Sequence, residues 1–162
     1  MTFEQHGIGT GTVRLTIDAG GMPTGTGKIS DIWFNSAKAF GDLSFAYVSG
    51  VATEGIIAGD NVSFAGIFDI NFRYNTSGSL GDLYHDRTSV YDISGTNLVE
   101  SDFNDQSTKG IYAVMHVNIT GNNNSGKYST YPPPDPVPEP TTMLLLGTGL
   151  VGLAAIRRKK SV

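Results

Sequence analysis

Cysteine is absent from the 162-residue chain. That excludes disulfides, zinc–thiolate sites and a cysteine nucleophile at once, and leaves the core alone to hold the fold. Charge is scarce, at 16% of residues. Residues 1–136 carry 14 acidic side chains against 7 Lys and Arg, a balance of about −7. A surface of that sign does not neutralise phosphates, so no nucleic-acid partner is expected. A Gly-x-Ser-x-Gly elbow is missing too: Ser79 comes nearest, but Ser77 stands where the first glycine belongs. Before the C-terminal end, no stretch of adequate length repeats its apolar residues at the helical period.

What is present favours short strands and turns. Glycine is abundant, at 21, with many Thr, Ser and Asn. Val13, Leu15 and Ile17 alternate with Thr12, Arg14 and Thr16, which predicts a half-buried strand. Further strands are predicted over 28–34, which holds Trp33, and over 43–48. Gly59, Asp60 and Asn61 read as a turn. Val62, Phe64, Phe68, Ile70, Phe72 and Tyr74 then fall on even positions. This predicts one long strand bent at Gly66, with Val62, Phe64, Phe68, Ile70 and Phe72 facing inward. A short strand follows over 89–93. Asn97, with Glu100 three residues later, predicts one capped helical turn. The last strong strand is expected over 111–119. The expected fold is all-β: an antiparallel β-sandwich of about 6 to 8 strands over residues 1–120. A flexible Pro/Asn/Gly-rich linker over 121–136 should follow, extended by its prolines.

Candidates for chemistry are sparse. His6, His85 and His116 are scattered, and His116 reads as a partly buried histidine paired with backbone rather than a metal ligand. Tyr84, His85, Asp86 and Arg87 crowd one segment, where a hydrated hairpin loop is expected over an acid–base pair. Glu100, Asp102, Asn104 and Asp105 offer oxygen ligands without the EF-hand order, so turn and cap chemistry is expected over calcium binding. Asn61, Asn75, Asn118 and Asn123 each head an Asn-x-Ser/Thr triplet, read here as strand and turn composition. No catalytic residue, metal site or cofactor is expected.

Residues 137–162 have a different character. Val137, Pro138, Glu139 and Pro140 come first, an uncharged run over 141–156 follows, and Arg157, Arg158, Lys159 and Lys160 close it. As a helix the run would be about 24 Å long at roughly 1.5 Å per residue, short of a bilayer core of about 30 Å. Its leucines, Val151 and Ile156 favour insertion by about 2 to 4 kcal/mol, so the segment is a marginal transmembrane anchor. Basic residues beside a span stay in the cytoplasm, which puts residues 1–136 outside. Pro138 and Pro140 cannot continue a helix and mark its outer boundary. Gly147, Gly149 and Gly152 match a dinucleotide-binding spacing, but the chain ends before the acidic residue that pattern needs.

This tripartite order resembles the PEP-CTERM sorting signal of bacterial surface and matrix proteins, which a membrane transpeptidase, exosortase, recognises. A simple tail anchor shares the apolar run and the basic end but not the Pro-Glu-Pro motif in front. The resemblance implies passage through the inner membrane, cleavage, and a final place at the cell surface or outside the cell. Proteins with this signal normally start with a signal peptide. Residues 1–7 have neither a positive nor an apolar region, so a start truncated relative to the natural one is expected.

Phe68-Asp69-Ile70-Asn71-Phe72, Ser94-Gly95-Thr96-Asn97-Leu98, Asp102-Phe103-Asn104 and Ala113-Val114-Met115-His116-Val117 together resemble a group of PEP-CTERM ectodomains. The resemblance implies a small β-sandwich with no assigned activity. Two roles follow as expectations. One is a non-enzymatic surface or extracellular-matrix component, with exosortase and the membrane as partners of its tail. The alternative is a carbohydrate-binding module of the exopolysaccharide matrix using Trp33, Tyr47 or Tyr84. A row of solvent-facing rings on one sheet would favour the second.

Overall fold

The computed structural model describes residues 1–7, 10–22, 27–77, 82–118 and 125–130. Its strands are β1 (Thr2–Gln5), β2 (Thr12–Asp18), β3 (Lys28–Phe34), β4 (Ser44–Gly50), β5 (Gly55–Val62), β6 (Gly66–Arg73), β7 (Leu83–Tyr84), β8 (Thr88–Ser94), β9 (Ala113–Asn118) and β10 (Ser125–Thr130). Short 3-10 turns lie at Phe40–Asp42 and Glu100–Phe103. The first sheet runs β1-β2-β8-β4 and the second β10-β9-β3-β6-β5. β7 pairs with Lys28 and Ile29 of β3, beyond the end of the β3–β6 ladder. All pairings are antiparallel. The expected all-β class is what the described residues have.

Alternation builds the core. In β2 and β8 every second residue is buried, and the register sets Val13 against Ile93 and Leu15 against Tyr91. In the second sheet Ile32, Phe34, Ile70 and Phe72 face them. Phe72 meets Tyr91 of the first sheet edge to face at 5.1 Å, and Phe3 meets Phe34 at 5.4 Å. The two sheets therefore pack face to face on one apolar layer. A hydrogen-bonded chain ties them where the strand path crosses from β4 to β5: Tyr74 donates to Ser89 Oγ at 2.9 Å, and Ser89 donates to the Val51 carbonyl at 2.7 Å. Burial raises the Tyr74 phenol well above its usual range, and the Ser89 hydroxyl opposes it.

Trp33, Val62, Ala65, Phe68, Ile111 and Val114 form a second buried cluster. Trp33 alternates with Ile32 and Phe34 and so points away from the main core. Ile111 joins this cluster from the segment before β9, and Ser107 just ahead of it donates to the Ala65 carbonyl.

Four expectations are corrected. The long strand over 62–74 is a hairpin: Val62 ends β5, residues 63–65 turn, and Gly66 opens β6 with φ 93°. A side chain at Gly66 would strain that backbone and meet Thr108 Oγ1. Phe64 sits in this turn, escapes the alternation and is 45% exposed rather than inward. Gly59, Asp60 and Asn61 are not a turn but part of β5. Pairing of Ala58 with Ile70 and of Asp60 with Phe68 carries the ladder past Gly59 and overrides the local turn signal. The predicted linker contains a strand, since β10 pairs with β9 from Ser125 opposite Asn118 to Thr130 opposite Ala113. Residues 121–124 and 131–136 of that linker lie outside the described residues. The helical turn exists at Glu100–Phe103, but Val99 heads it and Asp102 caps the Val99 N–H at 3.0 Å; Asn97 instead takes a left-handed φ of 53°.

Candidate functional site

The outer face of the second sheet gathers the polar side chains. The register places Asp31 between Arg73 and His116, and Trp33 between Asn71 and Val114. A bulge in β3 at Ser30 brings the Ser30 hydroxyl to 3.0 Å from His116 Nδ1. Asp31 Oδ2 lies 3.6 Å from the same nitrogen, and Arg73 Nε lies 3.9 Å from Asp31 Oδ1. Trp33 Nε1 donates to Asp60 at 3.1 Å, and the Lys127 ammonium sits over the indole at 5.3 Å. Asn71 is buried, and its Oδ1 accepts no hydrogen bond among the described residues.

This arrangement orders polar groups without building a proton relay. A serine–histidine–carboxylate relay needs the serine and the carboxylate on opposite ring nitrogens. Here both address Nδ1. His116 is half-buried, as the sequence suggested, but its partners are the Ser30 and Asp31 side chains.

A second polar row crosses the outer face of the first sheet, where Glu4, Arg14 and Asp92 are cross-strand neighbours. Arg14 holds Asp92 with two bonds, Nε to Oδ1 at 2.8 Å and Nη2 to Oδ2 at 2.9 Å. His6 Nε2 lies 3.0 Å from Arg14 Nη2. The hydrogen bonds from Arg14 hold the Asp92 carboxyl below its usual range, against a smaller opposing effect of burial. A carboxyl with a lowered folded-state pKa stabilises the fold above its unfolded pKa and loses that contribution as pH falls through the folded one. Asp92→Asn should therefore lower the thermal midpoint at neutral pH and leave it unchanged in strong acid. A deficit equal at both pH values would show that the ion pair is not its source.

The other sequence candidates are structural. Tyr84, His85, Asp86 and Arg87 form the tight connection from β7 to β8. His85 pairs with its neighbour Asp86 at 2.6 Å, and the Arg87 guanidinium lies 4.2 Å over the Tyr84 ring. Asp102 caps its own turn and faces Lys38 at 3.9 Å. Among the described residues no three His, Asp or Glu side chains converge as a metal site. The rings proposed for sugar stacking do not line up: Trp33 is 5% exposed and Arg87 covers Tyr84, while Tyr47 is 51% exposed on the other sheet. Sequence reasoning missed the Arg14–Asp92 pair and the ion pair between Lys28 and buried Asp82. Register brings the first pair together, and the second forms where Asp82 leads into β7 beside Lys28.

Val137, Pro138, Glu139, Pro140, Arg157, Arg158, Lys159 and Lys160, and the expected transmembrane helix over 141–156, lie outside the described residues. Among the described ones no helix is long and apolar enough to cross a membrane. The family model of the PEP-CTERM protein-sorting motif matches residues 136–159. The chain carries a PEP-CTERM sorting signal. The match takes in the Pro-Glu-Pro motif, the uncharged run and most of the basic end, the three parts read from the sequence. The PEP-CTERM signal marks the chain for export and for sorting to the cell surface by an exosortase. Neither the curated proteins nor the solved structures contain a match to the chain.

Proposed function

We propose that the chain is a non-enzymatic surface or extracellular-matrix protein whose membrane tail an exosortase removes. The observation that carries this reading is the PEP-CTERM match at residues 136–159, behind a β-sandwich. The described polar groups support it, because they are paired with one another across strands, and Ser30 and Asp31 address the same nitrogen of His116 rather than opposite ones. The physical logic of the tail is that of a cleaved anchor: a marginal apolar run holds the substrate only until transfer. Glu139 is the one charge between Pro136 and Arg157, and so the recognition handle of the motif.

The test is mass spectrometry of the surface or secreted protein, expressed behind a secretion signal in cells that have an exosortase. The mature form should lack residues 141–157. Glu139→Ala should leave export intact and slow the loss of the tail. Mature protein that still contains 141–157 would make this a simple tail-anchored protein.

A further inference from the structure

The described sheets end in four edge strands, β1 and β4 in the first and β5 and β10 in the second. An edge presents unpaired N–H and C=O groups, and proteins blunt it with charge, proline, brevity or a bulge. β1 is short and carries Glu4, β5 carries Asp60, and β10 carries Lys127. β4 reads SFAYVSG, without charge or proline, and Tyr47 and Val48 on it are exposed. Among the described residues its single protection is a bulge at Val48, where the register with β8 shifts between Tyr47 and Ser49. Ahead of the bulge, Ser44, Phe45, Ala46 and Tyr47 pair regularly with β8.

We propose that β4 is an association edge for the β4 of a second copy of this chain, added antiparallel across a two-fold axis. A two-fold pairing makes each strand its own complement, and an uncharged strand meets itself without repulsion. A continuous sheet requires residues of the same face to lie opposite each other. With the axis through Ala46, Phe45 lies beside the partner's Tyr47, and an aromatic cross-strand pair adds to the ladder. This register leaves Val48 at the rim, so the bulge limits the ladder without blocking it. Asp92 flanks Ala46 on β8. The two copies of Asp92 would then stand about 14 Å apart, at roughly 4.8 Å per strand, each neutralised by its own Arg14.

The experiment uses the full chain in detergent micelles, followed by light scattering on a sizing column. The wild type should be a dimer. Ala46→Lys sets two ammonium groups opposite each other and should weaken the dimer by at least about tenfold. Ala46 is exposed and beside Asp92, so the variant should keep the wild-type far-ultraviolet spectrum. Because the chain has no native thiol, Ala46→Cys gives a second readout that does not depend on that variant. It should form a disulfide-linked dimer under mild oxidation, faster than Tyr128→Cys on the β10 edge. A wild type that stays monomeric overturns the proposal. So does a dimer unaffected by Ala46→Lys, or equal crosslinking from the two edges.

Discussion

Phe72→Ala should cost the fold about 3 to 5 kcal/mol of unfolding free energy, the loss typical of a fully buried aromatic. Phe72 has no exposed surface, and its ring meets Phe34 at 5.5 Å, Phe45 at 5.7 Å and Tyr91 at 5.1 Å. Two of those partners belong to the first sheet, so truncation opens a void at the contact between the sheets. The rings around it are held by their own strands and cannot collapse into the space. A domain of this size has about 5 to 15 kcal/mol in total, so the variant should be marginal. Phe64→Ala is the internal control: exposed in the β5–β6 turn, it should change stability by no more than about 0.5 kcal/mol. Denaturant titration of both variants checks the pair. A loss below about 1 kcal/mol for Phe72 would mean that the two sheets do not meet there.

Lys28→Met should destabilise on a similar scale, about 3 to 5 kcal/mol, for an electrostatic reason. Asp82 has a 1% exposed side chain, and its charge partner is the Lys28 ammonium. No other hydrogen bond reaches its carboxylate oxygens among the described residues. Removing the cation leaves a buried anion with no group among the described residues to replace its water. Taking both charges away is different, because an apolar pair of similar volume no longer carries the desolvation cost. The double variant Lys28→Met, Asp82→Leu should therefore recover most of the loss. Equal destabilisation by the single and double variants would show that the unpaired Asp82 charge is not the source of the loss.

Where a strand buries one face, its sequence announces it. Val13, Leu15 and Ile17 are legible because each is buried while its neighbours are half-exposed. β5 and β10 lie at edges and have little of that contrast: β10 alternates only between exposed and half-exposed, so Ser125 to Thr130 reads like linker. The hairpin at 62–66 was hidden for the opposite reason, since Phe64 happens to continue the even-numbered apolar set through a turn. The sorting signal was legible in full because its meaning lies in linear order, which needs no fold. The outer-face clusters were not, since Ser30, Asp31, Arg73 and His116 meet only through the register of β3, β6 and β9 and the bulge at Ser30.

The place of β10 has a mechanical consequence for a chain pulled by its C-terminal end. The chain leaves the sheet at Thr130, where the Tyr112 N–H reaches its carbonyl at 3.2 Å and the Ala113 N–H its hydroxyl at 3.1 Å. Tension drawn along the tail falls on those two bonds first. β10 contributes no residue to either buried cluster, so what resists is its ladder with β9, one rung after another, and the Lys127 ammonium over the Trp33 ring. The strand can peel away under load while the aromatic contacts between the sheets stay intact, and it can zip back when the load is released. β10 is thus the strand that a pull on the C-terminal end would load first, ahead of the aromatic contacts between the sheets.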